Sequence, residues 1–117
     1  MVETDLKGST MAIFELRQYQ VKPGMMNEWV VMMEDEIIPF ITSKGMKVSA
    51  SFRGAEDASV YVWIRSFENE EERTRLSAAV YEDDHWTSVL SPKVGTFLNR
   101  EASNIQTLIA TPGSPLQ

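Results

Sequence analysis

Residues 12–21 alternate. Ile13, Glu15, Arg17 and Tyr19 fall on one side and Phe14, Leu16, Gln18 and Gln20 on the other, the two-residue period of a β-strand. Pro23-Gly24 breaks the strand and opens a helix. Over residues 25–43 the apolar positions Met26, Val30, Met33, Ile37 and Phe40/Ile41 recur every three or four residues, which is a helical stripe. Pro39 removes one backbone donor there, so a kink is expected in the last turn, and Lys44-Gly45 supplies a C-cap with a helping positive charge. Alternation returns at residues 46–53 and again at 60–67, where β-branched and aromatic residues dominate; with a turn at 54–59 between them, the two predict a hairpin. Asn69 with Glu72 three residues on has the form of a capping box, predicting a helix to about Val80. Asp83 or Asp84 caps a further helix, with Val89/Leu90, Val94 and Phe97/Leu98 on one side and Pro92 inside it. A last strand is expected at 103–110, ended by Thr111-Pro112-Gly113-Ser114-Pro115.

Strand, helix, strand, strand, helical region, strand is the order of a split βαβ. The expected fold is therefore α+β and ferredoxin-like, with a four-stranded antiparallel sheet and both helical layers on one face. Such a fold leaves the other sheet face open, yet neither face of these strands reads as the polar half of a solvated sheet. In the third strand Val60, Val62 and Ile64 oppose Tyr61, Trp63, Arg65 and Phe67. A wet face normally alternates cleanly with an apolar one. A homodimer joined through sheet faces is the expected remedy, with cover by the chain's own ends as the alternative.

Composition narrows the chemistry. At 117 residues there is one core, with residues 1–11 read as a polar, flexible lead-in and 12–117 as the domain. A net charge of −6 argues against nucleic acid or an anionic membrane as the main partner. No apolar run is long enough to span a bilayer, and no signal-like stretch opens the chain, so a cytoplasmic location is the default. With no cysteine and one histidine, thiolate and multi-histidine metal sites are excluded, and neither a metal nor a cofactor is expected.

Three residues stand out for catalysis. Arg17 and Arg65 lie on adjacent strands, and their guanidinium forks suit a carboxylate or an enolate; the plainer reading pairs them with Glu15 or stacks them on Trp63. His85 is the one side chain whose unperturbed pKa sits near neutrality, which makes it the default proton-transfer group, against the plainer reading of a surface residue beside a helix cap. Tyr81 lies four residues before it and would share its face if the turn is helical. Tyr61, Trp63, Tyr81 and Trp86 are the candidate substrate-binding residues, with core or interface packing as the alternative for the strand aromatics.

Three stretches also resemble a known family. Phe14-Glu15-Leu16-Arg17-Gln18-Tyr19 with Val21-Lys22-Pro23-Gly24 is similar to the opening of NIPSNAP-family domains. Val62-Trp63-Ile64-Arg65-Ser66-Phe67-Glu68 with Glu71-Glu72-Arg73 resembles their third strand and second helix, and Leu108-Ile109-Ala110-Thr111-Pro112 with Ser114-Pro115-Leu116 their closing segment. The resemblance implies a dimeric α/β barrel, two ferredoxin-like domains with sheets facing. It implies no agreed reaction. By fold it points towards cofactor-free monooxygenases and isomerases, and so towards binding or conversion of a small organic molecule between helices and sheet. The alternative is a non-catalytic dimeric module that binds a protein partner.

Overall fold

A computed structural model describes residues 11–117; apart from Met11, the expected lead-in lies outside them. Four strands form one antiparallel sheet in the order β2-β3-β1-β4, from β1 (Ile13–Val21), β2 (Lys47–Arg53), β3 (Val60–Phe67) and β4 (Leu98–Leu108). This is the ferredoxin-like arrangement, and β1 and β3 are its central strands. The first crossover comprises α1 (Met26–Met32), a π-helical turn (Met33–Ile37) and α2 (Ile38–Ser43). The second comprises α3 (Glu70–Tyr81), a π-helical turn (Trp86–Leu90) and α4 (Ser91–Phe97).

The start and stop signals act as the sequence suggests. Asn69 caps α3 by accepting from the Glu72 backbone N–H at 2.8 Å. The Glu72 carboxylate reaches back past the cap to the Glu68 N–H, also at 2.8 Å. Gly45 follows α2 at φ 103°, a left-handed conformation that a side chain would strain. Neither proline ends its helix. Pro39 and Pro92 each fall just after a π-helical turn, where Ile38 N–H bonds back to Met33 and Ser91 N–H to Trp86. The wider turn makes room for the proline ring, which would otherwise crowd the carbonyl four residues earlier.

One boundary differs from expectation. Leu98 stands four residues after Val94 and reads as helical, but it starts β4, five residues before the strand expected at 103–110. The reason is a bulge. Gln18 pairs with Asn104 and Gln20 with Asn99, so a single β1 residue, Tyr19, faces residues 100–103 of β4.

The core lies between the helices and one sheet face. Ile13, Val21, Tyr61, Trp63 and Phe67 from the strands bury against Met26, Trp29, Met33, Ile37, Ile41, Leu76, Val80, Leu90 and Val94. The opposite face carries Leu16 paired with Ile64, and Val62 paired with both Gln18 and Phe52. The C-terminal tail covers one end of it: Phe14, Ile64, Leu108 and Leu116 line a cleft of about 300 Å³ there. Elsewhere that face is open, and Phe52 is 58 % exposed.

Candidate functional site

The side chains that set this domain apart sit on the helix-facing side of β1 and β3. Because strand residues alternate, Glu15, Arg17 and Tyr19 share that side with Tyr61, Trp63 and Arg65. Two charged groups are buried there: Arg65 is 1 % exposed and Glu15, its cross-strand partner, 4 %. Arg65 donates from Nε (3.1 Å) and Nη2 (2.6 Å) to Glu15 Oε1. Arg17 Nη1 reaches the same oxygen at 2.9 Å, and Arg73 Nη1, from α3, reaches Oε2 at 3.0 Å. Burial by itself would raise the Glu15 pKa, but the charges and hydrogen bonds of Arg65 and Arg17 outweigh it and hold the carboxyl below its ordinary value.

Three guanidiniums thus converge on one carboxylate. Arg73 has a second partner in Glu70 at 3.0 Å, so three positive charges meet two negative ones. The pairing expected as the plainer reading of Arg17 is present, and it leaves positive charge over. Arg17 also donates from Nε to the Tyr19 hydroxyl at 2.8 Å, and Arg65 from Nη1 to the Tyr81 hydroxyl at 2.7 Å. Burial disfavours the Arg17 charge. The Tyr19 and Tyr81 oxygens and Glu15 reverse that effect, so Arg17 is a fixed cation. Arg65 lies over the Trp63 ring at 5.4 Å, the stacking foreseen from sequence.

These groups border a cavity of about 230 Å³ between the sheet and both crossovers. Arg17, Tyr19, Trp63 and Arg65 form its floor, Trp29, Met33, Ile37 and Ile41 one wall, and Tyr81, Trp86 and Val94 the other. The β4 bulge adds Arg100 and Ser103, and with the exposed Ile105 they border the cavity along the β4 edge. Arg100 bonds to the Ser91 carbonyl at 2.8 Å and hydroxyl at 3.1 Å, both neutral partners. Both π-helical turns contribute lining residues, a placement such turns often have at functional sites.

Of the residues singled out by sequence, Arg17, Arg65, Trp63, Tyr81 and Trp86 meet at this cavity. Tyr61 does not line it; it is buried beside it, 5.9 Å from the Trp29 ring, and burial pushes its hydroxyl pKa up to about 12. His85 also lies outside, contrary to the expected meeting with Tyr81 and a strand arginine. The reason is local: α3 stops at Tyr81, and Asp83 recaps the chain by accepting from the His85 N–H at 2.8 Å. The i,i+4 relation is thereby broken, and the exposed imidazole rests 5.3 Å from the Phe40 ring. Trp29 and Arg100 were missed. Trp29 lies three residues from Met26 and four from Met33, within the helical stripe, so periodicity held that signal. Nothing local announces Arg100, which depends on the bulge. Among the described residues no three His, Asp or Glu side chains gather as metal ligands, and no helix is long and apolar enough to cross a membrane.

With that geometry in place, known proteins can be compared. Among solved structures, a NIPSNAP family protein from Agrobacterium tumefaciens has 20 % identity and a TM-score of 0.80, over 91 % of this chain and 99 % of that one. A second A. tumefaciens NIPSNAP family protein, of unknown function, has 23 % identity and a TM-score of 0.82, over 92 % and 96 %. A Caulobacter crescentus protein proposed to be an antibiotic biosynthesis monooxygenase has 16 % identity and a TM-score of 0.67, over 87 % and 92 %. Identities this low establish the fold and leave the chemistry open. None of the curated proteins matches. The NIPSNAP family model matches residues 14–115, nearly the whole described chain, and the protein belongs to the NIPSNAP family.

Proposed function

We propose that this chain binds a small organic anion, a carboxylate or an enolate, in the cavity between helices and sheet. The charge balance carries the reading. Arg17, Arg65 and Arg100 line the cavity, no carboxylate does so among the described residues, and the nearby Glu15 is shared by three guanidiniums. Guanidinium held in low-dielectric surroundings is a strong partner for a carboxylate. An enolate held by the same groups is an intermediate that a cofactor-free oxygenation or an isomerisation would share, so conversion of the ligand is supported by fold analogy. Calorimetric titration with benzoate tests the reading. Saturable one-site binding is expected, weakened at least about tenfold by Arg17→Met. Absence of binding by every small aromatic carboxylate would overturn it.

The open sheet face supports a homodimer in which two sheets pack together. Leu16, Val62, Ile64 and Phe52 form an apolar surface on it that the tail covers only in part. The expected interface exceeds roughly 1,000 Å². Sedimentation of a monomer at micromolar concentration would defeat this reading. If the dimer forms and no small anion binds, the face and the fold fit a module that docks a protein partner.

A further inference from the structure

All three tryptophans of the chain, Trp29, Trp63 and Trp86, line the cavity. Trp29 is 1 % exposed and Trp63 3 %, and neither indole Nε1–H meets an acceptor among the described residues. Buried donors are seldom left in that condition, and each such case asks for an explanation. The phenols make a related offer. The Tyr19 oxygen accepts from Arg17 and the Tyr81 oxygen from Arg65, so the hydrogen of each hydroxyl is turned away from its guanidinium and free to donate elsewhere. Every polar side chain lining the cavity can donate, as indole, phenol, guanidinium or serine hydroxyl, and none of those described is a carboxylate or an amide.

We propose that the ligand is a planar aromatic carboxylate carrying a second acceptor oxygen next to the carboxylate, with no N–H or O–H pointing outward. This rests on the anion reading above and narrows it. The walls ask for the ring: five aromatic side chains line a cavity of about 230 Å³. A dry cavity of about 150 Å³ in another protein takes benzene, so this one holds a ring with small substituents. The guanidiniums take the carboxylate, and the two unpartnered indoles call for further acceptors. A ligand ammonium would find aromatic faces here but would meet an excess of guanidinium charge.

Isomers separate this proposal from simple anion binding. In 2-hydroxybenzoate the hydroxyl hydrogen closes onto its own carboxylate, so the molecule shows only acceptors. In 4-hydroxybenzoate the same O–H points outward, towards walls without a carboxylate or amide to receive it. Titration calorimetry on the full chain should find 2-hydroxybenzoate about tenfold tighter than both benzoate and 4-hydroxybenzoate, with benzylamine not bound. In ¹H–¹⁵N spectra the Trp29 and Trp63 indole protons should move downfield on adding 2-hydroxybenzoate and stay in place on adding benzylamine. Trp63→Phe and Trp29→Phe each keep a ring and delete one donor. Either variant that folds should lose the preference for 2-hydroxybenzoate while holding its benzoate affinity within about twofold. If benzoate binds but 2-hydroxybenzoate is no tighter, or the indole protons do not respond, the proposal falls and the anion reading stands. If no carboxylate binds, or benzylamine binds equally well, both fall.

Discussion

The two faces of the sheet invert the usual rule for charge. The side packed under the helices holds Glu15, Arg17 and Arg65, while Leu16, Val62 and Ile64 lie on the side the helices leave bare. A lone buried ion would be expelled or neutralised. Here each buried charge has at least two partners, and the excess is positive and borders a cavity. Burial of ion pairs is not a general route to stability, since the desolvation cost rivals the Coulombic gain. The helix-facing side is therefore best understood as built for a ligand, and the bare side as built for association.

The sharpest way to break that contrast is to unbalance the inner side. Glu15→Gln keeps the shape and leaves three guanidiniums facing a neutral amide. Stability should fall by about 3–5 kcal/mol in urea unfolding. A loss below about 1 kcal/mol would mean that the arginines are already solvated and the inner side is not dry. Next in size is the outer side. Ile64→Glu should weaken self-association about a hundredfold or more while leaving the far-ultraviolet circular dichroism unchanged. An unchanged sedimentation profile would remove the outer half of the comparison.

A pH series sharpens the inner half. The Glu15 pKa in the folded chain lies below its ordinary value of 4.5, so its contribution is fully present above that pH and is lost as the pH falls through the lower folded value. Wild type should therefore lose stability more steeply than Glu15→Gln below about pH 4.5. Parallel curves would show that Glu15 takes no part in acid unfolding. The smallest effect is expected outside both faces. His85→Gln should change stability by less than about 0.5 kcal/mol and leave benzoate binding unaltered, as for an exposed side chain away from the cavity. A marked loss of benzoate binding would return the imidazole to the site.

Much of this could be seen in the chain because the signals are local. The alternation of β1 and β3, the Asn69 cap and Gly45 depend on near neighbours, and alternation alone put Arg17, Trp63 and Arg65 on one side. What stayed hidden depends on contacts distant in sequence. Leu98 keeps helical spacing from Val94, yet pairing with Val21 makes it a strand residue. Arg100 and Ser103 reach the cavity because four β4 residues bulge opposite Tyr19. His85 was misplaced by extending a helix past its stop at Tyr81, a stop that Asp83 shares with the following cap.

The π-helical turns also govern helical phase. Met33, Ile37 and Ile41 are spaced by fours, as are Trp86, Leu90 and Val94. At 3.6 residues per turn each such step overshoots a full rotation by about 40°, so in a regular α-helix the third residue would swing well away from the first. The wider turn absorbs the overshoot. In each crossover the first and third residues then face the same cavity across the proline. The two walls are thus tuned like a vernier. Removing one residue from either turn would leave the helix intact but rotate the stretch before it by about 100° relative to the stretch after it, withdrawing Met33 or Trp86 from the wall.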